Sequence, residues 1–215
     1  MRRTTLAVLL ALAVAPLTGC STPYYWTMEQ FGVHKRDILV DRVEEARDAQ
    51  DAAKEQFVSA LDAFKAVHAF DGGDLEKLYT KLQKEYDRSE DRAAAVTDRI
   101  DSVETVSGDL FAEWRGEIGE MHDAKLRAQS EDLLHRTEER YAVLVGAMHK
   151  AEASMQPVLT SFKDHVLALK HNLNAQAVAS LSGELASIES EIGALVADME
   201  ASIAEADAFL ETLSN

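Results

Sequence analysis

The sequence predicts an all-α chain, an elongated antiparallel bundle of about four long helices. Three observations predict it. Apolar residues recur at steps of three and four almost without interruption beyond residue 37. Glycine and proline number only 10 and 3 among 215 residues, too few for a turn-rich β fold. No segment shows the apolar–polar alternation of a strand.

The first helix carries its apolar stripe from Leu39, Val43, Ala46 and Gln50 through Phe57 and Phe64 to Val67. It stops at Asp71-Gly72-Gly73-Asp74. Paired glycines end a helix, and Asp74 is suited to cap the next one.

The second helix runs from Leu75 and Leu78 through Leu82, Tyr86, Ser89 and Val103 to Leu110 and Trp114. Gly108, Gly116 and Gly119 fall in its far half. Each costs up to about 1 kcal/mol against alanine. A bend or an end is therefore expected between Gly116 and Asp123.

The third helix carries Leu133, Thr137, Tyr141, Leu144, Met148 and Met155, then resumes at Leu159 and continues through Leu169 to Leu173. The step from Met155 to Leu159 is a stutter in the heptad frame, and Pro157 falls inside it. Proline removes a helix hydrogen bond and bends the axis. One long helix kinked at Pro157 is expected, with two separate helices as the alternative. Asn172-Leu173-Asn174 then breaks the pattern.

The fourth helix keeps the strictest repeat, from Val178 through Leu185, Ile192, Met199 and Ala206 to Leu213. The four helices should be about 33, 45, 50 and 40 residues long, or roughly 50 to 75 Å. Short connections make sequence neighbours antiparallel, and the heptads imply coiled-coil-like packing. Residues 37–215 thus read as one helical-bundle domain.

Residues 1–19 read as an export signal. Arg2 and Arg3 precede a short apolar run from Leu6 to Leu17. That run is shorter than the roughly 20 residues a bilayer span needs. Leu17-Thr18-Gly19-Cys20 resembles the bacterial lipobox, whose cysteine is acylated and becomes the mature N-terminus. Cys20 is the only cysteine, so no disulfide framework exists. The resemblance implies a multi-chain lipid anchor, effectively permanent at about 0.8 kcal/mol per buried methylene. The membrane is the expected partner, through lipid on Cys20. Ser21 follows. In the enterobacterial sorting system that this resembles, serine there permits transfer to the outer membrane, leaving the body in the periplasm.

Residues 20–36 form the tether. Tyr24, Tyr25 and Trp26 lie near the anchor, and Lys35 and Arg36 follow. Aromatic rings favour the membrane–water interface and cations favour anionic headgroups. The same aromatics also fit a cap over one end of the bundle core, and the two readings are compatible.

Without the signal, 20 basic residues face 38 acidic ones, a net charge of −18. Such acidity argues against nonspecific nucleic-acid binding. From His171 to Asn215 there are eight acidic residues and no Lys or Arg. Glu184, Glu191, Asp198 and Glu205 recur every seventh residue, beside the core seam. Flanking charges of this kind choose partners in coiled coils. The stripe fits a solvated face, a docking face for a basic partner, or a diffuse cation site. Carboxylates seven residues apart lie about 10 Å apart along a helix, too far to share one ion.

Familiar chemistry finds little support. A di-iron bundle needs paired Glu-x-x-His motifs, and the nearest match is Asp132-x-x-His135, alone. Glu131 and His135 read as a surface pair. No phosphate-cradling loop or nucleophile elbow is present, and Asp71-Gly72-Gly73-Asp74 lacks EF-hand spacing. The expectation is no enzyme, no metal and no cofactor.

Several strings together resemble a family. They include His34-Lys35-Arg36-Asp37-Ile38-Leu39, Phe70-Asp71-Gly72-Gly73-Asp74-Leu75, Met155-Gln156-Pro157-Val158-Leu159 and Lys170-His171-Asn172-Leu173-Asn174. The chain resembles an uncharacterised, domain-of-unknown-function family of proteobacterial helical lipoproteins. The resemblance implies a helical envelope lipoprotein and assigns no site residues.

Three functions fit. The first is a non-enzymatic periplasmic scaffold or adaptor, presenting the acidic face to an envelope protein. The second is a carrier or binder of a lipid or other amphiphile between helices, near Met148, Met155 and Pro157. The third is a self-assembling coiled-coil lipoprotein. The sequence leaves the oligomeric state open.

Overall fold

The computed structural model describes the backbone of residues 34–68, 74–171 and 175–214. These residues form four helices: α1 (Lys35–His68), α2 (Leu75–Glu120), α3 (Ala124–His171) and α4 (Ala175–Ser214). No strand occurs among the described residues. The expected turns at Asp71-Gly72-Gly73 and Asn172-Leu173-Asn174 lie outside them.

Local chemistry sets the described helix ends. Asp74 is extended, with φ −87° and ψ 94°, and its carboxylate accepts a hydrogen bond from Lys77 N at 3.2 Å. That cap opens α2. The helix passes through Gly108, Gly116 and Gly119 and ends at Glu120, inside the interval predicted for a break. Met121 is extended, and its N–H reaches Ile118 O at 3.2 Å. Asp123 then opens α3 by accepting from Lys125 N at 2.8 Å and Leu126 N at 3.0 Å.

α3 runs unbroken through Pro157. Proline has no N–H to offer the carbonyl of Ala153. Burial on both sides compensates, because Met155, Val158 and Leu159 all enter the core. The consecutive burial of Val158 and Leu159 is the stutter made visible.

Each helix packs antiparallel on its chain neighbours, and α4 closes the ring against α1. The four together form one compact unit. Every apolar stripe position predicted for α1, from Leu39 to Val67, is buried. Phe57, Leu82, Ile100, Leu144, Leu195 and Met199 are among the fully enclosed side chains.

Aromatic contacts tie the helices at two levels. Phe64 on α1 and Tyr86 on α2 meet Phe162 on α3, at ring-centroid distances of 4.6 and 5.5 Å. Nearer the other end, Tyr141 on α3 lies 5.4 Å from Phe111 on α2 and 6.3 Å from Phe209 on α4.

Leu133 departs furthest from the predicted core. Expected inside, it is 50% exposed, and Leu134 is buried instead. Here α3 packs mainly on the end of α2, so its apolar stripe turns toward Phe111 and Ile118. Lys35, the first residue of α1, bonds to Glu113. The end of α2 and the start of α3 therefore continue for about 10 Å beyond the first turn of α1. Leu110, Trp114, Met121 and Tyr141 pack against the small core that Phe111, Ile118 and Leu134 form between α2 and α3.

Candidate functional site

The start of α1, the far end of α2, the first turns of α3 and the last turn of α4 converge on one groove. Its volume is about 360 Å³, and Leu110, Trp114, Leu133 and Leu213 are its apolar lining. Arg36, Glu113 and Glu117 supply its charges, and Thr137 and Thr212 its hydroxyls. Two hydrogen bonds brace it. Trp114 Nε1 donates to Ser130 Oγ at 2.9 Å, and Arg115 pairs with Glu138. Leu126, 58% exposed, lies seven residues before Leu133 and so continues the apolar strip outward along α3.

A second groove of about 380 Å³ lies between α2 and α3 beside the Pro157 turn. Ala93 and Ala94 leave the space, while Glu90, Thr97, Gln156, Thr160 and Lys163 make its lining largely polar. Burial, reinforced by Glu90, pushes the Tyr86 phenol well above its ordinary range. Met148 and Met155 face the core instead, at 0% and 1% exposure.

A polar cluster bridges α2 and α3. His149 Nδ1 lies 3.0 Å from Glu152 Oε2, and its Nε2 lies 3.1 Å from Glu104 Oε1. Thr97 Oγ1 donates to Glu152 Oε1 at 2.6 Å. Glu152, then Glu104, raise the His149 pKa by accepting from its ring. Burial would push Glu152 up, but the bonds from Thr97 and His149 prevail and lower its pKa. Among the described residues, no group of three or more His, Cys, Asp or Glu side chains is placed to hold a metal ion.

A family described as "Protein of unknown function (DUF2959)" matches residues 24–213. The chain belongs to this family. No curated protein and no solved structure matches it. The DUF2959 match takes in the whole four-helix body up to Leu213, with ten further residues before His34.

In this DUF2959 chain, Cys20, Tyr24, Tyr25 and Trp26 lie outside the described residues. Lys35 and Arg36, assigned to the tether, are instead the first two residues of α1. Lys35 Nζ sits 2.9 Å from Glu113 Oε2, and Arg36 lines the end groove. Among the described residues, no helix is long and apolar enough to cross a membrane.

The acidic stripe of α4 is partly internal. Asp198 accepts from Lys150 Nζ at 2.8 Å and from Ser154 Oγ at 2.5 Å, both on α3. Those two bonds, Lys150 first, hold its carboxyl below the usual range. Glu191 accepts from Ser187 one turn earlier, at 3.2 Å. Glu184 is exposed and Glu205 half-buried. His135 pairs with Glu139 at 3.3 Å rather than with Glu131, and Asp132 takes Arg136 at 2.8 Å. His165 packs edge-on against Phe64, with centroids 5.7 Å apart.

The end groove escaped sequence reasoning because Leu110, Trp114 and Leu133 fit the core stripe. The signal available was Leu126, an apolar residue in phase with Leu133 but ahead of the predicted core.

Proposed function

We propose that this DUF2959 chain is a non-enzymatic scaffold or adaptor of the bacterial envelope. Cys20, at the end of its lipobox, anchors it by lipid, and Ser21 directs it to the outer membrane with the body in the periplasm. The helical body then presents an acidic, rigid surface to a basic envelope protein.

One observation carries the reading. α4 is fixed on both flanks yet keeps an acidic excess. Arg47 and Lys65 of α1 hold Asp207 and Glu189, at 3.1 and 3.2 Å, while Lys150 of α3 holds Asp198. Those pairs use three of the eight acidic residues of α4, which has no Lys or Arg of its own. Glu184 and Glu200 remain exposed. Cross-helix pairs set the pose of α4, and the surplus carboxylates give it a sign that a basic partner can read.

In-cell photo-crosslinking tests the proposal, with the probe at Glu184 or Glu200 and Cys20 intact. A discrete crosslinked protein is expected. No specific adduct from either site, or from exposed sites between them, would sink the adaptor assignment.

A further inference from the structure

The end groove discriminates among possible occupants by its chemistry. Its floor is Leu110, Trp114, Leu133 and Leu213, and its volume of about 360 Å³ lies at the small end of ligand sites. A helix, about 10–12 Å across with its side chains, is too thick for it. An extended peptide would set unpaired N–H and C=O groups against helices whose own backbone is already bonded. A hydrocarbon chain brings no group that needs a partner and gains by leaving water.

The mouth adds a charge pattern. Lys35 neutralises Glu113 at 2.9 Å. Arg36 and Glu117 stand at the same groove. A guanidinium matches a phosphate in shape and charge. A carboxylate beside it suits the ammonium of a zwitterionic headgroup.

We propose that this groove seats one acyl chain of a bilayer aminophospholipid, with the phosphate at Arg36 and the ammonium toward Glu117. The proposal rests on the anchor at Cys20, which keeps the body close to a bilayer. α1 begins 15 residues after Cys20. At about 3.4 Å per extended residue that tether reaches at most about 50 Å.

Trp114 is a reporter already in place. The chain has two tryptophans, so Trp26→Phe leaves Trp114 alone. The full-length lipoprotein carrying that change goes into phosphatidylethanolamine–phosphatidylglycerol vesicles, with brominated or ordinary acyl chains. Brominated chains should quench Trp114 emission by about half or more. Leu133→Glu should restore most of it with helicity unchanged, since Leu133 is already half-exposed. Arg36→Gln should weaken quenching by phosphatidylethanolamine. Unquenched Trp114 overturns the proposal, and so does quenching that ignores Leu133→Glu. A groove filled by the acyl group on Cys20 itself would also leave Trp114 unquenched and counts against it. Metabolic labelling with an alkyne fatty acid separates the two readings. Label with no quenching removes the groove proposal and leaves the anchor standing, whereas no label removes both.

Discussion

The amide of Gln56 on α1 donates to the buried carboxylate of Glu85 on α2 at 2.8 Å, and more weakly to the Glu85 carbonyl at 3.3 Å. Ser59 Oγ and Arg88 Nη1 complete the shell around that carboxylate, each at 3.3 Å. Glu85 is 7% exposed, so its oxygens must find their hydrogen bonds within the protein. Gln56→Ala should cost about 1 to 3 kcal/mol, the usual loss when a buried acceptor loses its donor. Equilibrium urea unfolding measures it. In a Glu85→Gln background the same change should cost clearly less, and equal costs would show that the bond is immaterial.

His149 makes the α2–α3 seam sensitive to pH. Its folded pKa is raised above 6.5 by Glu152 and then Glu104. A raised pKa means stability that is full below the unfolded value and fades as pH climbs through the folded one. Glu152 is lowered below 4.5, so its contribution is full above that value and fades as pH drops through its folded pKa. The seam should therefore be strongest between these limits. His149 is half-exposed, so solvent screening keeps the change from pH 6 to 8 under about 1 kcal/mol. Thermal unfolding across that range should show a falling midpoint, and His149→Ala should flatten the slope.

Gln50 and Ser202 form a polar layer in the core. Both are fully buried, and neither Gln50 Nε2, Gln50 Oε1 nor Ser202 Oγ has a hydrogen-bond partner. The Arg47–Asp207 and Lys65–Glu189 pairs set the register of α1 against α4 and place the two residues within a turn of each other. Unpaired buried polar groups each cost on the order of 1 to 3 kcal/mol. Gln50→Met, which keeps the volume, should raise the unfolding midpoint, and Ser202→Ala should raise it by less. A lower midpoint in both variants would show that the layer is satisfied in solution.

Pro157 is exposed on an unbroken helix. Pro157→Ala restores the bond to the Ala153 carbonyl and should stabilise the chain by up to about 3 kcal/mol. Calorimetry decides. A neutral result would mean that the missing hydrogen bond is offset by the packing of Val158 and Leu159.

The heptads made the four helices legible, and Asp74 marked the start of α2, whereas the capping of α3 by Asp123 emerged only from the structure. The core stripe held at every position predicted on α1. It failed at Leu133, where α3 reaches past the start of α1 and its stripe turns to α2. The acidic repeat of α4 was visible as spacing, but not the fact that Lys150 and Ser154 of α3 claim Asp198. Side chains that are far apart in sequence meet only through register, and no single helix carries that information.

The sequence by itself determined the number of helices, their approximate lengths and the family strings. These depend on periods of three and four and on caps, which are local. Only the tertiary structure decided where the bundle ends unevenly. The α2–α3 hairpin extends past its neighbours, so Leu126 and Leu133 lose the partners their periodicity implies. The result is a groove made of residues that look like core. Apolar periodicity states that a face wants burial, while helix lengths and register decide whether anything is there to bury it.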